Sequence, residues 1–92
     1  MDLELENKVA IVTGGSRGIG KAIARELACE GADLVIVARG FQELEKTALE
    51  LADESGRRVI PIKADTSDIG QVTRMVEDAV SNLGKIDILI NN

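Results

Sequence analysis

Short apolar runs alternate with longer amphipathic segments along the whole chain. Four runs rich in branched side chains predict buried strands, at residues 9–12, 34–37, 59–62 and 86–90. Between these runs, apolar residues recur every three or four positions, which predicts three helices. A glycine follows each helical segment (Gly31, Gly56 and Gly84), at the position where a chain commonly leaves a helix. The predicted order of elements is therefore β-α-β-α-β-α-β.

This order favours an α/β fold of Rossmann type. Alternating strands and helices predict a parallel sheet with right-handed crossovers. Two crossovers run outward in one direction before the chain crosses back, which gives the strand order 3-2-1-4. This arrangement is the truncated front half of a doubly wound fold. Pro61 indicates that the third strand either lies at an edge or lacks a ladder hydrogen bond there. Asp68 and Gln71 resemble a capping box at the start of the third helix.

The apolar positions also predict which face of each helix is buried. Cys29 lies near the apolar side of the first helix and is interpreted as a small packing residue. The predicted buried stripes are Ile19, Ala22, Ile23 and Leu27 in the first helix; Leu44, Ala48, Leu51 and Ala52 in the second; and Ile69, Val72, Val76, Ala79, Val80 and Leu83 in the third.

The turn between the first strand and the first helix is rich in glycine and reads TGGSRGIG over residues 13–20. A bound phosphate needs close backbone N–H groups and gains from the positive end of a helix dipole. Gly14, Gly18 and Gly20 satisfy the first need, and the helix that begins here satisfies the second. The spacing departs from G-x-G-x-x-G, because Ile23 occupies the last glycine position. The strand–turn–helix context favours a phosphate site over the alternative, an ordinary βα turn.

Three motifs in order resemble the short-chain dehydrogenase/reductase family. The first is Thr13-Gly14-x-x-x-Gly18-Ile19-Gly20, the family's cofactor motif, and the second is the segment that holds Asp65 and Thr66. The third, Ile88-Leu89-Ile90-Asn91-Asn92, resembles the start of the family's Asn-Asn-Ala-Gly motif. The resemblance covers the whole chain and is greatest to the group of 3-oxoacyl-carrier-protein reductases and sugar or alcohol dehydrogenases. It implies that Asp65 contacts adenine and that a catalytic Ser and a Tyr-x-x-x-Lys pair lie beyond residue 92.

The geometry of a parallel sheet supports a single crevice for these residues. Ligands bind beyond the carboxyl ends of the strands, near the reversal in strand order. Gly14, Arg39, Asp65 and Asn91 each follow a different strand. The predicted cofactor-binding residues are Gly14, Ser16, Arg17, Gly18, Ile19, Gly20, Arg39, Asp65, Thr66, Asn91 and Asn92.

The end of the second strand favours NADP over NAD. NAD-binding folds place an acid about 20 residues after the glycine turn. Here Arg39 occupies that region, and its planar guanidinium suits a phosphate. The resemblance adds that basic residues at the positions of Arg17 and Arg39 accompany NADP. The alternative is that both are solvated surface arginines.

Composition narrows the function further. The chain has 92 residues, a net charge of −5, one cysteine and neither Tyr nor His. A net negative charge argues against nucleic acid as a partner, and the missing His argues against a Cys/His zinc site. No apolar run approaches the roughly 20 residues of a membrane span, and the acidic N-terminus is unlike a signal peptide, so we expect a cytoplasmic protein. Ser16 has no base to activate it and is interpreted as a turn or cap residue.

The leading hypothesis is that residues 1–92 form the cofactor-binding segment of an NADP(H)-dependent oxidoreductase that reduces a carbonyl or oxidises an alcohol. No residue of the segment is expected to be catalytic, so the chemistry is implied by the resemblance alone. We expect the complete protein to act on a small-molecule or acyl-carrier substrate and to form a homo-oligomer. The alternative hypothesis is a non-catalytic nucleotide-binding module or a truncated fragment.

Overall fold

The computed structural model describes residues 4–92 and contains all seven predicted elements in the predicted order. The strands are β1 (Val9–Thr13), β2 (Asp33–Ala38), β3 (Val59–Lys63) and β4 (Ile88–Asn91). The helices are α1 (Gly18–Cys29), α2 (Phe41–Ser55) and α3 (Ile69–Leu83).

The four strands form one parallel sheet in the order β3-β2-β1-β4, which confirms the predicted topology. β1 and β2 are the inner strands and are almost fully buried. β3 lies at one edge, which is the first of the two alternatives for Pro61, because an edge strand tolerates a residue without an N–H. The fourth strand begins at Ile88 instead of residue 86, since its pairing with β1 starts at Ala10 and Ile88. Ile86 packs against the core just before the strand.

Helices cover both faces of the sheet and form two separate apolar cores. One core joins α1 and α2 to the first face, through Ala24, Leu27, Leu44, Ala48 and Leu51 against Ala10, Val12, Leu34 and Ile36. The other joins α3 to the opposite face, through Met75 and Ala79 against Ile11, Val35 and Val37. The structure therefore has the layers of a doubly wound fold.

The predicted buried face of α1 is wrong in part. Ile19 is 71% exposed and Ala22 is also exposed, whereas the buried positions are Gly20, Ala24, Leu27 and Ala28. Small residues four apart let the helix lie close to the sheet, so they face inward in place of the larger ones. This rotation also leaves Cys29 exposed, which contradicts its interpretation as a packing residue.

The face of α2 agrees better with its pattern, whereas α3 exposes much of its predicted stripe. Leu44, Ala48 and Leu51 of α2 are buried. In α3 only Ala79 of the predicted positions is buried, while Ile69, Val76 and Val80 are exposed. Among residues 4–92, no helix is both long enough and apolar enough to cross a membrane.

Candidate functional site

A crevice of about 470 Å³ lies at the carboxyl edge of the sheet. Segments that follow all four strands meet there, as expected for the ligand site of an open parallel sheet. Its lining residues are Thr13, Gly14, Val37, Ala38, Arg39, Ala64, Asp65, Thr66, Ser67 and Asn92. Of the predicted binding residues, the crevice thus brings together Gly14, Arg39, Asp65, Thr66 and Asn92.

The N-terminus of α1 adjoins this crevice and has free hydrogen-bond donors. The N-cap residue Arg17 makes no side-chain cap, and the first turn contains no acid. The first helical bond runs from the Lys21 N–H to the Arg17 carbonyl at 3.1 Å. The N–H groups of Gly18, Ile19 and Gly20 therefore have no acceptor within the helix. Such an end, with its partial positive charge, suits an anionic group.

Two glycines of the turn are required by close contacts. A Cβ on Gly20 would overlap the carbonyl group of Gly14 and lie 2.9 Å from Nδ2 of Asn92. A Cβ on Gly15 would lie 2.9 Å from Ile36 in β2. Gly15 was not among the predicted site residues, because no spacing rule distinguishes it from a variable position. Together the two glycines let α1 and its turn lie directly on the ends of β1, β2 and β4.

The Thr13 hydroxyl links the glycine turn to the end of β4. It donates to Oδ1 of Asn91 at 3.1 Å and to the Ile90 carbonyl at 3.4 Å, and it accepts from the Asn92 N–H at 3.0 Å. The two asparagines that were predicted to bind the cofactor therefore line different cavities. Asn92 lies against Gly14 and Gly20 in the crevice, whereas Asn91 lines a smaller cavity of about 160 Å³.

The loop after β3 fixes Asp65 through local hydrogen bonds. Oδ1 of Asp65 accepts from the Ser67 hydroxyl at 2.7 Å and from the Ser67 N–H at 2.9 Å. These bonds, with the nearby charge of Arg39, hold the pKa of the Asp65 carboxyl below its ordinary value. Asp65 is therefore an anionic hydrogen-bond acceptor at neutral pH, beside a cationic side chain.

The predicted capping box at α3 forms only in part. The Asp68 carboxylate accepts from the Gln71 N–H at 3.2 Å, as predicted. The Gln71 side chain does not return to the Asp68 N–H; its Oε1 accepts from the Asp65 N–H at 2.8 Å instead. Because the Asp68 N–H already donates to the Asp65 carbonyl, the Gln71 side chain accepts from the N–H of Asp65 and not from that of Asp68.

The predicted residues Arg39, Arg17 and Ser16 differ in exposure and in their position relative to the crevice. Arg39 is exposed and also lines an adjoining cavity of about 230 Å³, together with Lys63 and Gln71. Arg17 is exposed at the start of α1 and is not among the residues that line the crevice. Ser16 is buried, and its carbonyl accepts from the Thr47 hydroxyl at 3.3 Å, a contact that the sequence did not indicate. Within residues 4–92, no three His, Cys, Asp or Glu side chains are grouped as a metal site would require.

Comparison with protein families and curated proteins agrees with this geometry. Residues 8–92 match the family model described as short chain dehydrogenase. The hydroxynaphthalene reductase-like protein Arp2 of Metarhizium anisopliae is 45% identical over 91 residues, which cover 96% of this chain and 33% of that protein. The chain thus spans about a third of the length of the curated relatives it matches.

Solved structures show the same fold. L-sorbose reductase from Gluconobacter frateurii, solved with NADPH and L-sorbose, matches the whole chain and 35% of its own length, with a TM-score of 0.96 and 42% identity. A blue fluorescent protein from a metagenomic library, solved with NADPH, matches 94% of this chain and 36% of its own, with a TM-score of 0.86 and 44% identity.

Proposed function

The chain belongs to the short-chain dehydrogenase family, and on that basis we propose that it is the dinucleotide-binding part of an NADP(H)-dependent oxidoreductase. The proposed reaction transfers hydride between the nicotinamide of the cofactor and the carbon of a carbonyl or alcohol group. Within the family we keep the 3-oxoacyl-carrier-protein reductase group as the proposed subgroup, with a small-molecule or acyl-carrier substrate. The observation that carries the proposal is the uncapped N-terminus of α1, which lies beside a crevice that contains Arg39 and Asp65.

The residues present fit a dinucleotide. The free N–H groups of Gly18, Ile19 and Gly20 would bind its phosphates, and the absence of a Cβ at Gly20 keeps the turn compact. Asp65 and Thr66 would contact the adenosine half, because they line the crevice on the β3 side. A bound NADP(H) supplies or accepts the hydride, while the described residues bind and orient it.

The charges at the end of β2 support NADP over NAD. The residue directly after Ala38 is Arg39 and not an acid, and its guanidinium is exposed at the mouth of the crevice. A planar guanidinium can bind a phosphate through two parallel hydrogen bonds. The NADPH bound in L-sorbose reductase and in the blue fluorescent protein is further support, since both share more than 40% identity with this chain.

The test is equilibrium binding of NADPH and NADH to Arg39→Asp. A charge-assisted hydrogen bond contributes on the order of 1.5–3 kcal/mol, and solvent exposure brings the value to the lower end. We therefore expect Arg39→Asp to lower the affinity for NADPH by about tenfold. The affinity for NADH should stay unchanged or rise, because a carboxylate accepts hydrogen bonds from ribose hydroxyls.

The matched control for this test is Arg74→Asp, which makes the same charge change at an exposed arginine of α3. It should change neither affinity by more than about twofold at fixed ionic strength. If Arg39→Asp lowers the affinities for NADPH and NADH equally, Arg39 does not bind the additional phosphate of NADP(H), and the NADP assignment fails.

The alternative is a nucleotide-binding module without turnover. A hydride-transfer assay of the complete protein with carbonyl substrates separates the two functions. Turnover that depends on NADPH supports the oxidoreductase, whereas tight binding without turnover supports the module. A cytoplasmic homo-oligomer remains our proposal for the complete protein, and gel filtration of that protein tests the oligomer.

A further inference from the structure

We propose that Thr47 is a positioning residue for the glycine-rich turn, and that its hydroxyl sets the orientation of the Ser16–Arg17 peptide for phosphate binding. The inference rests on the proposed dinucleotide-binding function. Thr47 lies in the middle of α2, and nothing in its sequence context indicates a role in the site.

The hydroxyl of Thr47 donates to an unusual acceptor. A Ser or Thr hydroxyl on a helix commonly donates to the carbonyl four residues earlier in its own helix. Ser55 does so with Leu51 at 2.7 Å, and Thr73 does so with Ile69 at 3.0 Å. Thr47 is 1% exposed, and it donates to the Ser16 carbonyl, which lies 31 residues away in the chain.

This contact fixes the direction of one peptide group. The peptide bonds of the described residues are not cis, so the carbonyl of Ser16 and the N–H of Arg17 point in opposite directions. Because the carbonyl is held toward α2, the Arg17 N–H points away from α2. Arg17 is the N-cap of α1, so this N–H adjoins the free donors of the first turn.

The turn needs such a contact more than an ordinary loop does. Gly14, Gly15 and Gly18 flank the peptide, and glycine has the largest backbone freedom to lose. Arg17 itself is exposed and makes no cap bond that would hold it. A hydrogen bond from a neighbouring helix can therefore select one orientation of the peptide before a ligand binds.

The anchor itself is firmly placed. Leu44, Ala48 and Leu51 bury the same side of α2 in the core. One turn after Thr47, the Glu50 carboxylate pairs with Nζ of Lys21 in α1 at 2.8 Å. Since α2 is fixed to both the sheet and α1, the position of the Thr47 hydroxyl does not depend on the turn that it contacts.

The experiment compares Thr47→Val with Thr47→Ser. Valine keeps the branched shape and removes the hydroxyl, whereas serine keeps the hydroxyl and removes the methyl group. Losing one hydrogen bond should weaken NADPH binding by about three- to tenfold in Thr47→Val. Thr47→Ser should bind within about twofold of the unsubstituted protein, even though the lost methyl group lowers its stability.

Two further measurements separate a positioning role from a structural one. Thr73→Val is the matched control, because it removes an exposed hydroxyl that is bonded within its own helix, and it should leave NADPH affinity unchanged. Backbone ¹⁵N order parameters, measured without cofactor, should fall at Arg17 and Gly18 in Thr47→Val and stay constant in α2.

Each outcome bears on the inference. Unchanged affinity in Thr47→Val, or equal losses in the valine and serine variants, would show that Thr47 only packs, and would overturn it. If the unsubstituted protein binds no nicotinamide dinucleotide, the proposed function fails, and the phosphate role of Thr47 fails with it. The order parameters then still report whether the hydroxyl orders the turn, so the two failures remain distinguishable.

Discussion

Gly20→Ala should destabilise the protein and weaken dinucleotide binding, although alanine is the better helix former. A Cβ at this position would lie 2.7 Å from the carbonyl carbon of Gly14 and closer still to its oxygen. Ordinary van der Waals contacts of a Cβ begin near 3.4 Å, so α1 and the turn must separate by at least about 0.7 Å. Both neighbours are backbone, which cannot rotate away as a flexible side chain can.

The size of the effect follows from two opposing terms. Alanine in a helix is favoured over glycine by up to about 1 kcal/mol. Overpacking costs about 1–3 kcal/mol, and the backbone contact at Gly20 favours the upper end. The difference is a loss of about 2 kcal/mol, a large fraction of the stability of a small domain. Cofactor affinity falls as well, because the shift displaces the free N–H groups of Gly18 and Ile19.

Urea unfolding and NADPH binding check this prediction. Gly70→Ala is the matched control, since Gly70 lies in the first turn of α3 and its added Cβ would meet only the Asp68 carboxylate oxygen, at 3.3 Å. This control should raise the free energy of unfolding by about 0.5–1 kcal/mol and leave binding unchanged. If Gly20→Ala is as stable as Gly70→Ala and binds NADPH normally, the close contact at Gly20 does not shape the site.

Two further predictions concern the opposite edge of the sheet and the exposed apolar face. The Asp87 carboxylate accepts from the Val9 N–H at 2.9 Å and from the Lys85 ammonium at 3.1 Å, and both contacts lower the pKa of Asp87. Because the pKa of Asp87 is lower in the folded state, its carboxylate stabilises the fold above the unfolded-state pKa of about 4, and this stability is lost as the pH falls. Asp87→Asn should therefore be less stable than the unsubstituted chain at pH 7 and nearly equal to it near pH 2. Equal differences in unfolding midpoint at both pH values would refute this. The 92-residue chain alone should also self-associate, because Leu89 at the β4 edge is 62% exposed and Val80 is 43% exposed; a monodisperse, cooperatively folding monomer by analytical ultracentrifugation at high concentration would contradict it.

The sheet could be predicted from sequence because its signals are local. The branched runs of β1 and β2 are buried on both faces, so their apolar residues are continuous and easily recognised. Pro61 indicated an edge strand because proline has no backbone N–H to donate to a neighbouring strand. Chirality then supplied the strand order, since right-handed crossovers leave few arrangements of four parallel strands.

The faces of α1 and α3 could not be predicted from apolar periodicity alone. In α1 the buried positions include Gly20, Ala24 and Ala28, which carry little hydrophobic signal but allow close approach to the sheet. In α3 the burial of Met75 and the exposure of Val76 reverse what the stripe indicated. Periodicity identifies that a helix is amphipathic, whereas its rotation depends on the shape of the surface that it meets.

The contacts that shape the candidate site share one physical property, which explains why the sequence did not reveal them. Thr13, Gln71 and Thr47 each bind a backbone group of another segment, and none of the three was among the predicted site residues. Their partners, the Asn92 and Asp65 N–H groups and the Ser16 carbonyl, belong to loops whose backbone cannot pair within a helix or strand. Loops that must present free donors to a ligand lack regular structure by necessity, so side chains from rigid elements have to hold them. Polar side chains in this role should therefore affect ligand affinity more than their distance from the ligand suggests.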